Sequence, residues 1–114
     1  MSDDAIDMKE VMDRVQDDRE LLIELLQIFI EDYTEKKKIL DEAVSKNDFA
    51  QVRSIAHALK GSSGNISAKK LRLSFLDLEQ MAKTQDFSKA KEIFALLDQR
   101  FNELKDFVEK NLKK

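Results

Sequence analysis

The chain has 114 residues, which suits a single domain over residues 1–114, and it contains no cysteine and no proline. The lack of cysteine excludes disulfides, thiolate metal sites and cysteine nucleophiles. Its net charge of −3 argues against nucleic acid as a partner. No apolar run approaches the length of a membrane span and the first residues lack a signal-peptide pattern, so we expect a cytoplasmic protein that does not bind membranes.

Apolar residues recur at helical spacing from the first part of the chain, and no stretch alternates with the period of a strand. The pattern predicts a short helix over residues 6–15 and a long helix over 18–46. Asp17 is the expected N-cap of the long helix, with Glu20 completing a capping box. The predicted buried side of the long helix consists of Leu22, Leu25, Leu26, Phe29, Tyr33, Leu40, Ala43 and Val44.

The middle of the chain predicts two further helices. Asp48 follows an asparagine and gives the cap signal for a helix over residues 49–64. Ser67 is a good capping residue and is expected to begin the next helix, over 68–84. The apolar side of that helix consists of Leu71, Phe75, Leu78 and Ala82, with Leu76 and Met81 as further contributors.

The last predicted helix covers residues 87–112, with Asp86 as its cap. Its apolar residues follow three-four spacing: Ala90, Ile93, Phe94, Leu97, Phe101, Leu104, Val108 and Leu112. Four substantial helices with short connections imply antiparallel neighbours. The predicted fold is therefore all-α, an antiparallel up-down four-helix bundle with a short extra N-terminal helix.

The single histidine and both glycines of the chain, His57, Gly61 and Gly64, lie together in the predicted helix over residues 49–64. At about 100° per residue, His57 falls roughly 150° from the centre of that helix's apolar stripe. The stripe consists of Val52, Ile55, Ala56, Leu59, Ser63 and Ile66. Arg53 and Lys60 lie about one turn to either side of His57. The sequence therefore predicts a water-facing histidine with a cation on each side.

The grouping of His57 with two cations and two glycines can be interpreted as a reactive site or as an ordinary helix surface. A neutral imidazole is a nucleophile near neutral pH, and Lys60 or Arg53 could stabilise the charge of a phosphoryl group. Glycine inside a helix costs about 0.5–1 kcal/mol relative to alanine, so Gly61 and Gly64 suggest that a partner comes close. In the plainer interpretation His57 is a surface residue without a function, the glycines mark a frayed helix end and Lys60 only adds solubility.

Other kinds of site fit the sequence poorly. A di-iron bundle needs two Glu-x-x-His motifs, but Ser54-Ile55-Ala56 precedes His57 and there is no second histidine. Zinc requires more nitrogen or sulfur ligands than this chain has. A serine hydrolase would need an oxyanion hole, which a continuous helix does not supply. No glycine-rich nucleotide loop or Walker motif indicates a kinase.

The segment His57–Ala68 reads His-Ala-Leu-Lys-Gly-Ser-Ser-Gly-Asn-Ile-Ser-Ala. It resembles the signature of histidine-containing phosphotransfer (HPt) domains, which is roughly His-x-Leu-Lys-Gly-small-small-x-x-Ile/Leu-Gly-Ala. Ser67 departs from this pattern because the family usually has glycine there. The resemblance extends over nearly the whole chain and implies the same helical-bundle architecture that the periodicity predicts.

The resemblance implies a phosphoryl carrier in a multistep His-Asp phosphorelay. His57 would accept the group from a receiver-domain aspartate, Lys60 would offset its charge, and Arg53 would be an auxiliary cation. Gly61 and Gly64 would let the receiver approach. The chain would bind no cofactor or metal itself, and Mg²⁺ would belong to the receiver.

Several points stay open in the sequence. The chain suits a free-standing carrier, with a monomer favoured, or a piece of a hybrid sensor histidine kinase. The alternative function is a helical interaction module without phosphoryl chemistry, in which His57 is incidental. The clustering of His57, Lys60, Gly61 and Gly64 on one polar face argues against that alternative.

Overall fold

A computed structural model of the protein describes residues 5–112 and contains no strand within that range. Its helices are α1 (Met8–Arg14), α2 (Arg19–Ser45), α3 (Phe49–Asn65), α4 (Lys69–Lys83) and α5 (Ala90–Asn111). The long helices are joined by short connections, and each packs against the next one in the chain. Helix α2 also contacts α5. The predicted all-α up-down bundle with a short N-terminal helix is confirmed. No helix in the described range is both long and apolar enough to cross a membrane.

An aromatic group at the centre of the bundle joins three of its helices. The ring of Tyr33 in α2 lies 4.3 Å from that of Phe101 in α5 and 5.7 Å from that of Phe75 in α4, measured between centroids. Phe75 and Tyr33 are almost completely buried. Tilted aromatic pairs at such distances add to the free energy gained by burying the rings. The predicted apolar sides of these helices therefore face a common core.

The start of α2 differs from the prediction by one residue. Asp18, and not Asp17, is the N-cap, and its side chain accepts a hydrogen bond from the backbone N–H of Leu21 at 3.0 Å. Asp17 has a left-handed backbone with φ of 61°. Its N–H donates to the carbonyl of Met12 and so ends the preceding helical segment. The capping box expected between Asp17 and Glu20 is therefore wrong.

The turn between α3 and α4 also corrects the sequence prediction. Ser67 does not cap α4: the N-cap is Ala68, which makes no side-chain cap hydrogen bond. Ser67 has a left-handed φ of 56°, a conformation that glycine adopts at lower cost than other residues. Its hydroxyl instead donates to Glu10 of α1 at 2.9 Å. Ser67 thus joins α1 to the corner between α3 and α4.

Of the two other predicted N-caps, one is confirmed and one is wrong. Asp48 caps α3 as predicted, accepting a hydrogen bond from the N–H of Gln51 at 3.1 Å. Asp86 does not cap α5, whose N-cap is Lys89. The Asp86 carboxylate instead accepts a hydrogen bond from the N–H of Ser88 at 2.9 Å. It therefore stabilises the turn that precedes α5, and α5 begins later than predicted.

The rotation of α3 within the bundle determines which residues are accessible. Its buried residues are Val52, Ala56, Leu59 and Ser63. Ser63 is completely buried, as the predicted stripe requires, and its hydroxyl donates to the carbonyl of Lys60 at 3.0 Å. Because this stripe faces the core between α2 and α4, the opposite face of α3, which includes His57, is open to solvent.

Candidate functional site

His57 lies on the exposed side of α3 and is held from one edge of its ring. Its side chain is 70% exposed, which agrees with the water-facing position expected from the sequence. The ring atom Nδ1 lies 2.7 Å from Oε2 of Glu79, which α4 places opposite. The imidazole is therefore accessible to a partner molecule while a single hydrogen bond fixes its orientation.

Glu79 binds a second residue of α3 through its other carboxylate oxygen. The Nζ ammonium of Lys60 donates to Oε1 of Glu79 at 2.6 Å. The Glu79 side chain is 11% exposed, so this carboxylate is largely shielded from water. Both of its oxygens are thus engaged by groups of α3. Within residues 5–112, no three histidine, cysteine or acidic side chains lie close enough to hold a metal ion.

The charge of Glu79 determines which nitrogen of His57 carries the proton. The Lys60 ammonium above all, and then the ring of His57, lower the pKa of Glu79 below its ordinary value, against the opposing effect of burial. Glu79 is therefore ionised at neutral pH and can only accept hydrogen bonds. Nδ1 of His57 must then be the donor. In a neutral ring this leaves the lone pair on Nε2, the nitrogen on the far side from Glu79.

Arg53 lies beside the histidine, as the spacing predicts. It lines a shallow depression together with Ala50, Ser54, His57 and Glu79. Arg53 is exposed. Unlike that of Lys60, its side chain forms no ion pair or hydrogen bond with any residue in the described part of the chain. A guanidinium without a carboxylate partner adds uncompensated positive charge to this depression.

The two glycines of α3 differ in their surroundings. Gly61 lies inside α3 and Gly64 in its last turn, and neither has the positive φ that is typical of a glycine ending a helix. A Cβ atom added to Gly61 would meet no atom within 4 Å, whereas one added to Gly64 would lie 3.5 Å from Cδ of Arg72. Gly61 is thus open to an incoming molecule, and Gly64 is covered by a side chain of α4. Their role in docking stays a prediction.

Glu79 is the site residue that the sequence did not identify. It follows the apolar stripe of α4 at helical spacing, four residues after Phe75 and next to Leu78, where a further apolar residue would be expected. A carboxylate on an apolar stripe could have identified Glu79 as a site residue, because a buried charge normally has a partner. Its partner lies 22 residues earlier in the chain, and helix periodicity alone does not identify a partner across helices.

Two comparisons with known proteins agree with this geometry. The family model for the Hpt domain matches residues 24–107, well over half of the chain. The fold is similar to the crystal structure of histidine-containing phosphotransfer protein B (HptB) from Pseudomonas aeruginosa PAO1, with a TM-score of 0.88 and 21% sequence identity over 98% of this chain and 97% of that one. A search of curated proteins found no match. The chain belongs to the Hpt domain family.

Proposed function

We propose that this protein is a phosphoryl carrier in a His-Asp phosphorelay, with His57 as the residue that accepts the phosphoryl group. The observation that carries the proposal is the hydrogen bond of 2.7 Å between Nδ1 of His57 and Glu79, combined with 70% exposure of the histidine side chain. One nitrogen is held by the protein and the other is free to react, which is the arrangement a nucleophilic imidazole requires.

In the proposed reaction the lone pair of Nε2 attacks the phosphorus of a phosphorylated aspartate on a receiver domain. The N–P bond forms as the P–O bond to the aspartate breaks, and the aspartate leaves as a carboxylate. The ring keeps its Nδ1 proton and becomes positively charged. The Glu79 carboxylate, 2.7 Å from Nδ1, stabilises that charge. Transfer to a second receiver reverses these steps, and the carrier needs no kinase activity of its own.

Lys60 has two roles in this proposal. Its ammonium has three N–H donors, of which one binds Glu79. The others are available to phosphoryl oxygens, whose charge must be neutralised during transfer. By binding Glu79, Lys60 also keeps that carboxylate ionised and in position. Arg53, which has no partner among the described residues, would serve as an auxiliary cation at the same depression.

The proposed partners are receiver domains, which would carry the Mg²⁺ as well as the aspartate. The open backbone at Gly61 supports docking over the outer face of α3, since nothing within 4 Å occupies the space above it. A receiver on a response regulator or on a hybrid sensor histidine kinase would meet this face in the same way. We further propose that the carrier acts in the cytoplasm as a monomer, without a bound cofactor.

A transfer assay tests the proposal directly. Purified protein is mixed with a receiver domain that has been phosphorylated with acetyl phosphate in the presence of Mg²⁺. We expect mass spectrometry to locate the label on His57, and we expect the label to be lost in acid and retained in base. His57→Gln should fold normally, because the position is exposed, and should take up no label.

Two results of this assay would contradict the proposal. Label on the His57→Gln variant would show that another residue accepts the phosphoryl group. Failure of the wild-type protein to accept label from a complete set of receivers of its source organism would favour an interaction module without phosphoryl chemistry. Circular dichroism of both proteins provides the control for folding.

A further inference from the structure

A further cation, Arg72, lies along the same groove between α3 and α4 as the histidine. The Cδ and Nε atoms of Arg72 would lie 3.5 and 3.6 Å from a Cβ atom added to Gly64. The stem of the arginine therefore packs against the bare backbone of α3. Gly64 is seven residues beyond His57 on α3, and Arg72 is seven residues before Glu79 on α4. Seven residues of helix correspond to about 10 Å along the axis.

Arg72 differs from Lys60 and Lys69 because its side chain has no anionic partner among the described residues. Lys60 is paired with Glu79 at 2.6 Å, and Lys69 is paired with Glu10 at 2.9 Å. The side chain of Arg72 forms no ion pair or hydrogen bond with any other residue between positions 5 and 112. It is exposed, and it lines a depression at the α1 end of the groove.

The packing of Arg72 prepares its guanidinium for binding. Contact with α3 limits the conformations of the side chain, so less entropy is lost when a ligand binds. A guanidinium presents several donors in one plane and can bind a carboxylate through two parallel hydrogen bonds. An alanine at position 64 would meet Arg72 at ordinary van der Waals distance, so the glycine is not required to avoid a clash.

We propose that Arg72 is a docking residue that binds a carboxylate of the receiver, at the rim of the surface that surrounds the phosphorylated aspartate. This inference rests on the proposed carrier function. A site that holds Mg²⁺ through oxygen ligands is rich in carboxylates, so the receiver surface facing His57 is acidic. Seven residues of α4, about 10 Å along its axis, separate Arg72 from Glu79, which holds His57, so Arg72 would contact the receiver away from the phosphoryl group. It therefore acts on binding and leaves the chemical step unchanged.

The test measures the transfer rate as a function of receiver concentration by rapid quenching, with a phosphorylated receiver that labels wild-type His57. Arg72→Ala should raise the half-saturating concentration about two- to fivefold, which is the range for an exposed ion pair. Arg72→Glu should raise it about tenfold or more through repulsion. The rate at saturation should stay within about twofold of wild type, and the Arg72→Ala variant should depend less on salt concentration.

Lys91→Ala and Lys91→Glu make the same changes of charge at an exposed position on α5, away from the groove, and should leave the half-saturating concentration unchanged. Equal effects of the Arg72 and Lys91 substitutions would overturn the proposal, since only net charge would then matter. A fall in the saturating rate without a change in half-saturation would also overturn it. Absence of label on wild-type protein is a different result and would contradict the carrier function itself.

Discussion

Two glutamates join helices in this protein, and they differ in what they hold. Glu79 of α4 receives hydrogen bonds from His57 and Lys60 of α3 at 2.7 and 2.6 Å. Glu10 of α1 receives hydrogen bonds at 2.9 Å from the Ser67 hydroxyl and from Lys69, at the corner between α3 and α4. The side chain of Glu79 is 11% exposed and that of Glu10 is 36% exposed.

The difference lies in whether the side chain bound to each glutamate has a second reactive atom that stays free. A hydroxyl or an ammonium bound to Glu10 has no other reactive atom, so that contact can only hold helices together. The imidazole bound to Glu79 has a second nitrogen on its far side, and 70% of the His57 side chain is exposed. The same ion-pair chemistry is therefore structural at Glu10 and is proposed to be functional at Glu79.

The largest expected effect follows from removing Glu79. Glu79→Ala leaves the His57 ring without its fixed orientation and its Nδ1 proton without an acceptor. We expect the rate of phosphoryl transfer at saturating receiver to fall by about 100-fold, the cost of a modest misplacement of a reacting group. Glu10→Ala is the matched control and should transfer at the wild-type rate. A Glu79→Ala variant as fast as wild type would mean that Glu79 does not orient the ring.

A smaller effect on transfer is expected from Lys60. Lys60→Ala removes the proposed donor for the phosphoryl oxygens and a partner of Glu79, and charge-assisted hydrogen bonds of this kind correspond to about tenfold in rate. Lys69→Ala breaks the corresponding pair at Glu10 and should leave the rate unchanged. Rapid-quench measurements on both variants distinguish the two positions. Equal rates for Lys60→Ala and wild type would remove Lys60 from the mechanism.

At the Glu10 side the expected effects are on stability. Ser67→Ala keeps the left-handed backbone but loses the hydrogen bond to Glu10, so unfolding in urea should show a loss of about 1 kcal/mol. Ser67→Gly loses the same bond but relieves a conformational cost of about 1–2 kcal/mol, so its stability should be near that of wild type. Both should transfer normally. A glycine variant less stable than the alanine variant would contradict the assigned strain.

The smallest expected effect is a dependence of stability on pH in acid. Lys60 chiefly lowers the pKa of Glu79, and Lys69 chiefly lowers the pKa of Glu10, both below the ordinary value of 4.5. A carboxyl group with a lower pKa in the folded than in the unfolded protein stabilises the fold above the unfolded value. That contribution is lost as pH falls through the folded value.

Urea unfolding at a series of pH values measures this loss. The midpoint should decrease as pH is lowered from about 4.5, the region in which unfolded glutamates become protonated. Glu79→Gln and Glu10→Gln cannot titrate at those positions and should each show a smaller decrease than wild type. A decrease of the same size in all three proteins would show that other carboxyl groups are responsible.

The sequence predicted the helices well but their ends less well. Each apolar stripe has enough members to indicate a helix, and one misplaced residue does not change the result. A cap depends on a single residue, and that residue can cap a helix only if its own backbone has the required φ and ψ angles. Asp17 and Ser67 have side chains suitable for capping, but both have left-handed backbones that end the preceding helical segment instead.

For the site, the sequence alone determined that His57 faces water, with Lys60 and Arg53 near it, because side-chain direction along one helix follows from spacing. Only the tertiary structure decided that Glu79 holds both His57 and Lys60, and that Arg72 covers Gly64. These contacts cross from α3 to α4. They depend on the relative rotation and axial position of two helices, which the packing of the whole core determines.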